Sequence, residues 1–135
     1  MILKRTWGTC EVLVEGPEHM CTRITIKPGG EFSMQYHQHR NETWTVVSGQ
    51  GIAEVGMSAI VLGADGSSTH FQGSPIYIWN VYPGTTLLVP AQCIHRVKCP
   101  IEADEPLVYI EVQRGTCIGD DDTTRLDGAY GHSSI

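Results

Sequence analysis

Residues 35–44, QYHQHRNETW, place two histidines one residue apart and a carboxylate three positions later. Alternate side chains of a β-strand share a face, so a strand here would turn His37 and His39 to the same side. Residues 40–41 suit a tight turn because asparagine tolerates the backbone angles that a turn requires. Glu42 would then open the next strand. If the two strands form a hairpin, Glu42 returns beside the two imidazoles.

This set of side chains predicts a divalent metal site. Two imidazoles and one carboxylate suit zinc, cobalt, nickel, manganese or iron better than calcium or magnesium, which prefer oxygen ligands. The alternative is a polar edge strand with surface histidines, and it would be the stronger one for an isolated histidine pair. A matching histidine far along the chain, His95, favours the metal. Zinc is the first choice among these ions.

Composition limits the other possibilities. A chain of 135 residues with 41% hydrophobic residues suits one packed domain. The net charge of −6 argues against nucleic acid as a partner, because nucleic acid binding needs a basic patch. No apolar stretch is long enough to cross a membrane, and the N-terminus lacks a signal sequence. Five cysteines, an odd number without a CxxC pair, favour free thiols in a reducing cytoplasm over disulfides or a zinc knuckle.

Short alternating runs rich in β-branched residues, separated by glycine and proline, predict an all-β antiparallel sandwich or barrel. The segment Gly63–Pro75 is expected to be a loop or the tip of a hairpin. We expect a single domain over residues 1–135, with its core at about 20–113 and a C-terminal tail, 114–135, wrapping the barrel. The strand-like runs are 21–27, 32–39, 43–47, 52–55, 59–62, 76–79, 86–89, 95–98 and 107–112.

Two stretches resemble the paired motifs of the cupins. Gly30–Gly49 resembles the first motif, and Gly84–Cys99 resembles the second, with Gln92 in place of a glycine and Cys99 in place of an asparagine. The resemblance implies a double-stranded β-helix, the cupin or jelly-roll barrel. It also implies four metal ligands, which are His37, His39, Glu42 and His95.

Four further segments are similar to the type II mannose-6-phosphate isomerases: RTWG at 5–8, RITIKPGG at 23–30, HQHRNETWTVVSG at 37–49 and IEVQRGTCIGDDDTTRLDGAYG at 110–131. The similarity fails between Ile52 and Tyr82, where this chain looks longer than its relatives. The resemblance implies a metal-dependent isomerase of a phosphorylated sugar, interconverting mannose 6-phosphate and fructose 6-phosphate, and a homodimer. Such cupins often follow a mannose-1-phosphate guanylyltransferase domain. This chain shows no such domain, so guanylyl transfer is not expected of it.

Two residues are candidates for catalysis. Arg125 matches a tail arginine to which the isomerase family assigns a catalytic role, and its guanidinium could stabilise an enediolate or hold phosphate. The alternative is an arginine paired with neighbouring aspartates. Glu111 would be a general base if its side of the last strand faces into the barrel, but either side of that strand could do so. A metal-bound hydroxide or another residue is the alternative base.

Candidate substrate contacts surround the metal motif. Trp44 shares the side of Glu42 and could stack on a sugar, although a core tryptophan is an equal alternative. Cationic side chains could bind the phosphate, whereas most lysines and arginines are merely solvated. The proposed substrate-binding residues are Gln35, Trp44, Lys27 and Arg40.

Two other functions remain open. A metal-dependent cupin dioxygenase would use the same ligands for iron, and the isomerase-like tail disfavours it. A non-catalytic sugar-binding cupin is the other, favoured by the longer middle segment and by the two departures in the second motif. Cys99 could be a further metal ligand, but a small buried hydrophobic residue is the stronger interpretation.

Overall fold

The computed structural model describes residues 1–56, 60–70, 76–116 and 122–126. Within these ranges the chain has thirteen strands, no α-helix and only antiparallel strand pairs. The prediction of an all-β antiparallel fold is therefore confirmed. None of the described segments is a helix long and apolar enough to span a bilayer.

The strands form two sheets. The larger sheet contains, in chain order, β1 (Ile2–Arg5), β2 (Gly8–Glu15), β3 (His19–Ile26), β5 (Arg40–Ser48), β7 (Ile60–Leu62), β8 (Ser68–His70), β10 (Thr86–Val89) and β12 (Leu107–Gly115). The smaller sheet contains β4 (Gln35–His37), β6 (Gly51–Val55), β9 (Tyr77–Val81), β11 (His95–Lys98) and β13 (Thr123–Arg125). The spatial order is β1-β2-β3-β12-β5-β10-β7-β8 in the first and β13-β4-β11-β6-β9 in the second.

A continuous apolar core joins the two sheets. Every second residue of a strand points to the same side, so the strands bury one set of side chains and leave the other set outside. Both sheets contribute to this core, which includes Ile24, Ile26, Trp44, Val46, Ala53, Val55, Val81, Leu87, Val89, Val97, Leu107 and Tyr109.

The inward side of β5 changes character along its length. Arg40 and Glu42 are buried at one end, and Trp44 and Val46 are buried further along. A buried pair of opposite charges is tolerated only where partners satisfy it, so the charged end needs polar neighbours.

Strand β12 supplies those neighbours. Its inward residues are apolar at the beginning, Leu107 and Tyr109, and polar towards the end, Glu111 and Gln113. The register sets Gln113 opposite Glu42. The larger sheet therefore builds an apolar core at one end of the barrel and a polar chamber at the other.

The observed elements add to two of the expectations. The sheet begins at Ile2, because β1 and β2 pair ahead of β3, so paired strands precede the expected core start near residue 20. Of the two expectations for Gly63–Pro75, a loop or a hairpin tip, the hairpin tip agrees with the structure: residues 63–67 join β7 to β8, and the expected segment also includes strand β8. Residues 71–75 lie outside the described ranges. The number of domains stays a prediction.

The expected turn at residues 40–41 is wrong. Arg40 already begins β5, and the bend falls at residues 38–39. Strands β4 and β5 also belong to different sheets, so the chain crosses from one sheet to the other instead of forming a hairpin. Of the C-terminal tail, residues 123–125 pair with β4 as β13, and residues 117–121 and 127–135 are not described.

Candidate metal centre

Three buried side chains converge at the polar end of the barrel. His37, Glu42 and His95 each offer one ligand atom, and these atoms all lie within 4.8 Å of one another. His37 ends β4, Glu42 lies in β5 and His95 begins β11. The site thus draws on both sheets, and β4 and β11 hold their two imidazoles together because they pair directly, with His95 opposite Gln35.

The imidazole of His95 is oriented for a cation. Its Nδ1 lies 2.9 Å from the carbonyl oxygen of Cys93, to which it donates. Its Nε2 therefore presents a lone pair to the site, 3.8 Å from Glu42 Oε1, and has no hydrogen-bond partner among the described residues. Burial lowers the pKa of His95 to about 4, so the ring is neutral near pH 7. A buried acceptor without a donor fits a divalent metal ion, and a backbone carbonyl on the other ring nitrogen is the usual support of such a ligand.

The imidazole of His37 is held by a residue from the tail. Its Nδ1 lies 3.1 Å from Thr123 Oγ1. Its Nε2 lies 3.2 Å from Glu42 Oε2 and 3.2 Å from Arg40 Nη2. Thr123 therefore fixes the ring so that Nε2 looks towards the shared centre.

The carboxylate of Glu42 is surrounded by donors. It accepts from Trp44 Nε1 at 3.0 Å and from Arg40 Nε at 2.8 Å. Burial alone would raise its pKa, but its close contact with His37 and the positive charge of the Arg40 guanidinium hold that pKa well below the usual range. Glu42 is therefore an anion in the interior of the protein.

His39 is not brought to this cluster. Its side chain is 61% exposed, and its Nδ1 lies 2.9 Å from Asp122 Oδ1. The strand alternation on which the His37–His39 pairing rested breaks at the bend, where the Asp122 carboxylate accepts the backbone N–H groups of Gln38, His39 and Arg40. The structure thus brings together three of the four predicted ligands.

Glu111 faces the chamber, which settles the side of β12 that looks inward. Its Oε1 accepts from Gln113 Nε2 at 2.5 Å and from Thr22 Oγ1 at 3.3 Å. Burial and the negative charge of Glu42 raise the pKa of Glu111 to about 8. The chamber therefore holds one carboxylate that stays ionised and one that favours its protonated form near pH 7.

A cavity of about 530 Å³ reaches two of the three ligands, Glu42 and His95, while His37 lies outside its lining. Among the predicted substrate and catalytic residues, Gln35, Arg40, Trp44, Glu111 and Arg125 line it. Lys27 does not; it lies in solvent just beyond the end of β3. The remaining lining comes largely from the N-terminal strands and the loop before β4, and includes Met1, Leu3, Arg5, Trp7, Cys10, Val12, Phe32 and Ser33.

Trp44 is a core residue that also borders the cavity. It is 2% exposed, and its ring centroid lies 5.2 Å from that of His95 and 5.4 Å from that of Tyr109. Its indole N–H holds the Glu42 carboxylate, so the residue supports the acidic ligand as well as the core.

Several supporting residues escaped the sequence analysis. Thr22, Gln113, Asp122 and Thr123 carry no local pattern that marks them, since each acts on a residue far away in the chain; Thr123 and His37 are 86 positions apart. Among these residues, all but Thr22 lie in a segment that resembles the isomerases, and that resemblance indicates a role only for Arg125.

The cysteines agree with the thiol interpretation. Cys10, Cys21, Cys93 and Cys99 are free, and Cys117 lies outside the described ranges. Cys99 is buried in the apolar core, so it is a small hydrophobic residue there.

Known proteins resemble this chain in sequence and in fold. The family model described as "Mannose-6-phosphate isomerase C-terminal" matches residues 2–128. The chain is 34% identical over 127 residues to the mannose-1-phosphate guanylyltransferase of Klebsiella pneumoniae, covering 94% of this chain and 22% of that protein. It is 32% identical over 130 residues to the alginate biosynthesis protein AlgA of Pseudomonas aeruginosa, covering 96% and 23%. The chain thus spans about a fifth of the length of these relatives.

Solved structures agree on the barrel. The oxalate decarboxylase of Lactobacillus farciminis superposes with a TM-score of 0.70 at 17% identity, covering 95% of this chain and 34% of that one. KdgF from a Halomonas species superposes with a TM-score of 0.58 at 14% identity, covering 84% and 81%. At these identities the likeness establishes the fold alone, and it confirms the cupin barrel.

Proposed function

The chain belongs to the mannose-6-phosphate isomerase C-terminal family, and from that membership we propose that it is a metal-dependent aldose–ketose isomerase of a phosphorylated hexose. Mannose 6-phosphate and fructose 6-phosphate are the proposed substrate pair. The observation that carries the proposal is the buried cluster of His37, Glu42 and His95, with an unpartnered nitrogen on His95, beside a cavity that Glu42 and His95 line. A cavity of about 530 Å³ falls within the roughly 300–1,000 Å³ usual for small-molecule sites.

His37, Glu42 and His95 would hold the metal ion, with zinc as first choice. When bound, such an ion supplies Lewis-acid stabilisation of the negative charge that develops on sugar oxygens during proton abstraction. Thr123 and the Cys93 carbonyl hold the imidazoles of His37 and His95 in place by contacting their Nδ1 atoms. These contacts fix both ring planes before any ligand arrives, which lowers the cost of binding.

Glu111 is the proposed proton carrier. It lies on the cavity wall, directly opposite Trp44 in the pairing of β12 with β5, and in contact with Glu42. Isomerisation moves one proton between neighbouring carbons of the sugar and a second proton between their oxygens. The ionised form of Glu111 would accept the proton from one carbon and return it to the other, and the proton on the oxygens would exchange through solvent. Gln113 and Thr22 hold Oε1 of this carboxyl in place.

The phosphate end of the sugar would face Arg5 and Arg125. All nine lysines and arginines of the chain are described, and three of them line the cavity. Arg40 is one of the three, but it is bound to Glu42 deep in the barrel. Arg5 and Arg125 are exposed at the rim, where a charged, hydrated group can be bound without full burial. Lys98 and Arg96 pair with Glu54, away from the cavity.

The proposal includes two properties of the whole molecule. A reducing compartment such as the cytoplasm is supported by the four free thiols. A homodimer remains an expectation from the cupin family.

Metal-dependent turnover tests the proposal. The protein is stripped with a chelator, single divalent ions are added back, and fructose 6-phosphate formation from mannose 6-phosphate is followed in a coupled assay. We expect activity to disappear when the metal is removed and to return with one or more of zinc, cobalt, nickel, manganese and iron. In Glu111→Gln the activity should fall about 100-fold or more. Glu102→Gln, on an exposed turn, is the control.

Activity that persists after treatment with the chelator would reject the metal-dependent mechanism. Binding of mannose 6-phosphate without any turnover would favour a sugar-binding protein instead. Consumption of oxygen with an aromatic substrate would favour the dioxygenase.

A further inference from the structure

The guanidinium of Arg40 lies where a cation shared by His37 and Glu42 would lie. Its Nε is 2.8 Å from Glu42 Oε2, and its Nη2 is 3.2 Å from His37 Nε2. The two acceptor atoms are themselves 3.2 Å apart. A guanidinium is always charged and has donors only, so it bridges two acceptors as a metal ion would.

The contact with His37 is exclusive. A neutral imidazole has one lone pair in the ring plane at its unprotonated nitrogen. Arg40 can only donate, so that lone pair lies on Nε2, and Nδ1 carries the proton that it shares with Thr123 Oγ1. The Nε2 lone pair can accept from Arg40 or bind a metal ion, but it cannot do both. Glu42 differs, because a carboxylate has lone pairs for more than one partner.

We propose that Arg40 is a resident cation of this site, which a divalent metal ion must displace from His37. Arg40 thereby sets the affinity for the metal: it stabilises the buried Glu42 carboxylate in the metal-free protein and competes for the ligand set. This inference rests on the metal site of the proposed function and adds a residue that opposes metal loading.

The burial of Arg40 explains why the competition should be strong. Its side chain is 7% exposed, and Glu42 is 1% exposed. An anion so placed needs a cation in every state of the protein. When the metal ion supplies that charge, Glu42 no longer depends on the guanidinium for neutralisation, and the adjoining cavity, which Arg40 already lines, offers space for the guanidinium to move.

The competition predicts that removing Arg40 tightens metal binding. Co²⁺ is titrated into the metal-free full chain and followed by its visible absorption, with no sugar present. For Arg40→Met and Arg40→Gln we expect affinities roughly tenfold to a hundredfold above wild type, as expected for loss of one charge-assisted hydrogen bond. Arg96→Gln is the matched control, because Arg96 is a buried arginine paired with Glu54 outside the site. Its Co²⁺ affinity should equal that of wild type.

Unfolding of the variants provides a second readout. Metal-free Arg40→Met leaves Glu42 without its guanidinium, so it should unfold at lower denaturant, and saturating Co²⁺ should stabilise it more than it stabilises wild type. If metal-free Arg40→Met does not fold, Arg40→Lys provides the test instead. An ammonium lacks the fixed fork of donors with which the guanidinium bridges Glu42 and His37, so the Co²⁺ affinity of this variant should lie above that of wild type.

Co²⁺ affinities equal to or below wild type in the folded variants would overturn the competition and leave the proposed function intact. Failure of wild type and all variants to bind Co²⁺, Zn²⁺ or Mn²⁺ would overturn both.

Discussion

The imidazole of His39 is bound to Asp122, with Nδ1 2.9 Å from Oδ1, and it points away from His37. The same carboxylate accepts the His39 backbone N–H at 2.9 Å. Asp122 comes from the C-terminal tail and is 4% exposed. The bend between β4 and β5 is therefore wrapped around a side chain from the other end of the chain, and its histidine anchors the tail.

Measurements of metal affinity should distinguish His95, a proposed ligand, from His39, which lies outside the cluster. In His95→Ala the site loses the unpartnered Nε2, so we expect Co²⁺ affinity to fall by more than the roughly 10–100-fold that outer partners cost. In His39→Ala the three clustered ligands remain, and the affinity should stay close to that of wild type. Isothermal titration calorimetry of the metal-free proteins measures both. Equal losses in the two variants would restore His39 to the ligand set.

Thr123 should act on the metal through His37. Thr123→Val keeps the shape of the side chain and removes the oxygen that lies 3.1 Å from His37 Nδ1. We expect the metal affinity to fall about 10–100-fold while the fold is retained. Thr124→Val is the control, because Thr124 points to the opposite side of β13. A variant at 123 that binds metal as tightly as wild type would show that the ring needs no support from the tail.

Gln92 holds a backbone conformation that favours glycine. It is the one described non-glycine residue with a positive φ, at 71°, and it occupies the position of the glycine in the cupin motif. Its N–H donates to the His37 carbonyl at 2.6 Å, so the conformation is fixed. Gln92→Gly should stabilise the protein by up to about 1 kcal/mol, since the left-handed conformation costs other residues roughly 1–2 kcal/mol.

Urea unfolding measures this change. Gln50→Gly, at an exposed position with ordinary backbone angles, should lower the stability slightly. If both glycine variants lose stability equally, the strain at position 92 is absent.

Glu54 should make the stability depend on pH. Burial alone would raise the pKa of Glu54, but hydrogen bonds and charge from Lys98 and Arg96 hold it below its ordinary value of 4.5. A carboxyl group with a lowered folded-state pKa stabilises the protein above the unfolded-state value, and that stabilisation is lost as the pH falls through the folded-state value. The advantage of wild type over Glu54→Gln should therefore be full at neutral pH and shrink as the pH falls below about 4.5.

The comparison requires unfolding curves of both proteins from pH 7 to the lowest pH at which they fold. Glu102→Gln should follow wild type throughout, because Glu102 is exposed on a turn. A gap between wild type and Glu54→Gln that does not change with pH would contradict the ion-pair account.

The sequence by itself determined the fold and most of the ligand set. Alternation along short runs such as Cys21–Lys27 and Leu107–Val112 identified strands, because burial on one side of a sheet imposes a period of two. His37, Glu42 and His95 were identified from residue type and resemblance, and the structure brings them together. The strands at the N-terminus escaped notice because β2 lines a cavity and lacks a fully buried side.

Only the tertiary structure decided the details of the site. From the sequence alone, His37 and His39 are equally good candidates for metal ligands. They differ because the Asp122 carboxylate bends the backbone at residues 38–39. The inward side of Glu111 depends on the register between β12 and β5, and the position of Arg40 depends on a buried charge that must be neutralised. Each of these outcomes is an interaction between residues on different strands. Local periodicity carries no information about such partners, because their free energy appears only once the strands are paired and water has been removed from between them.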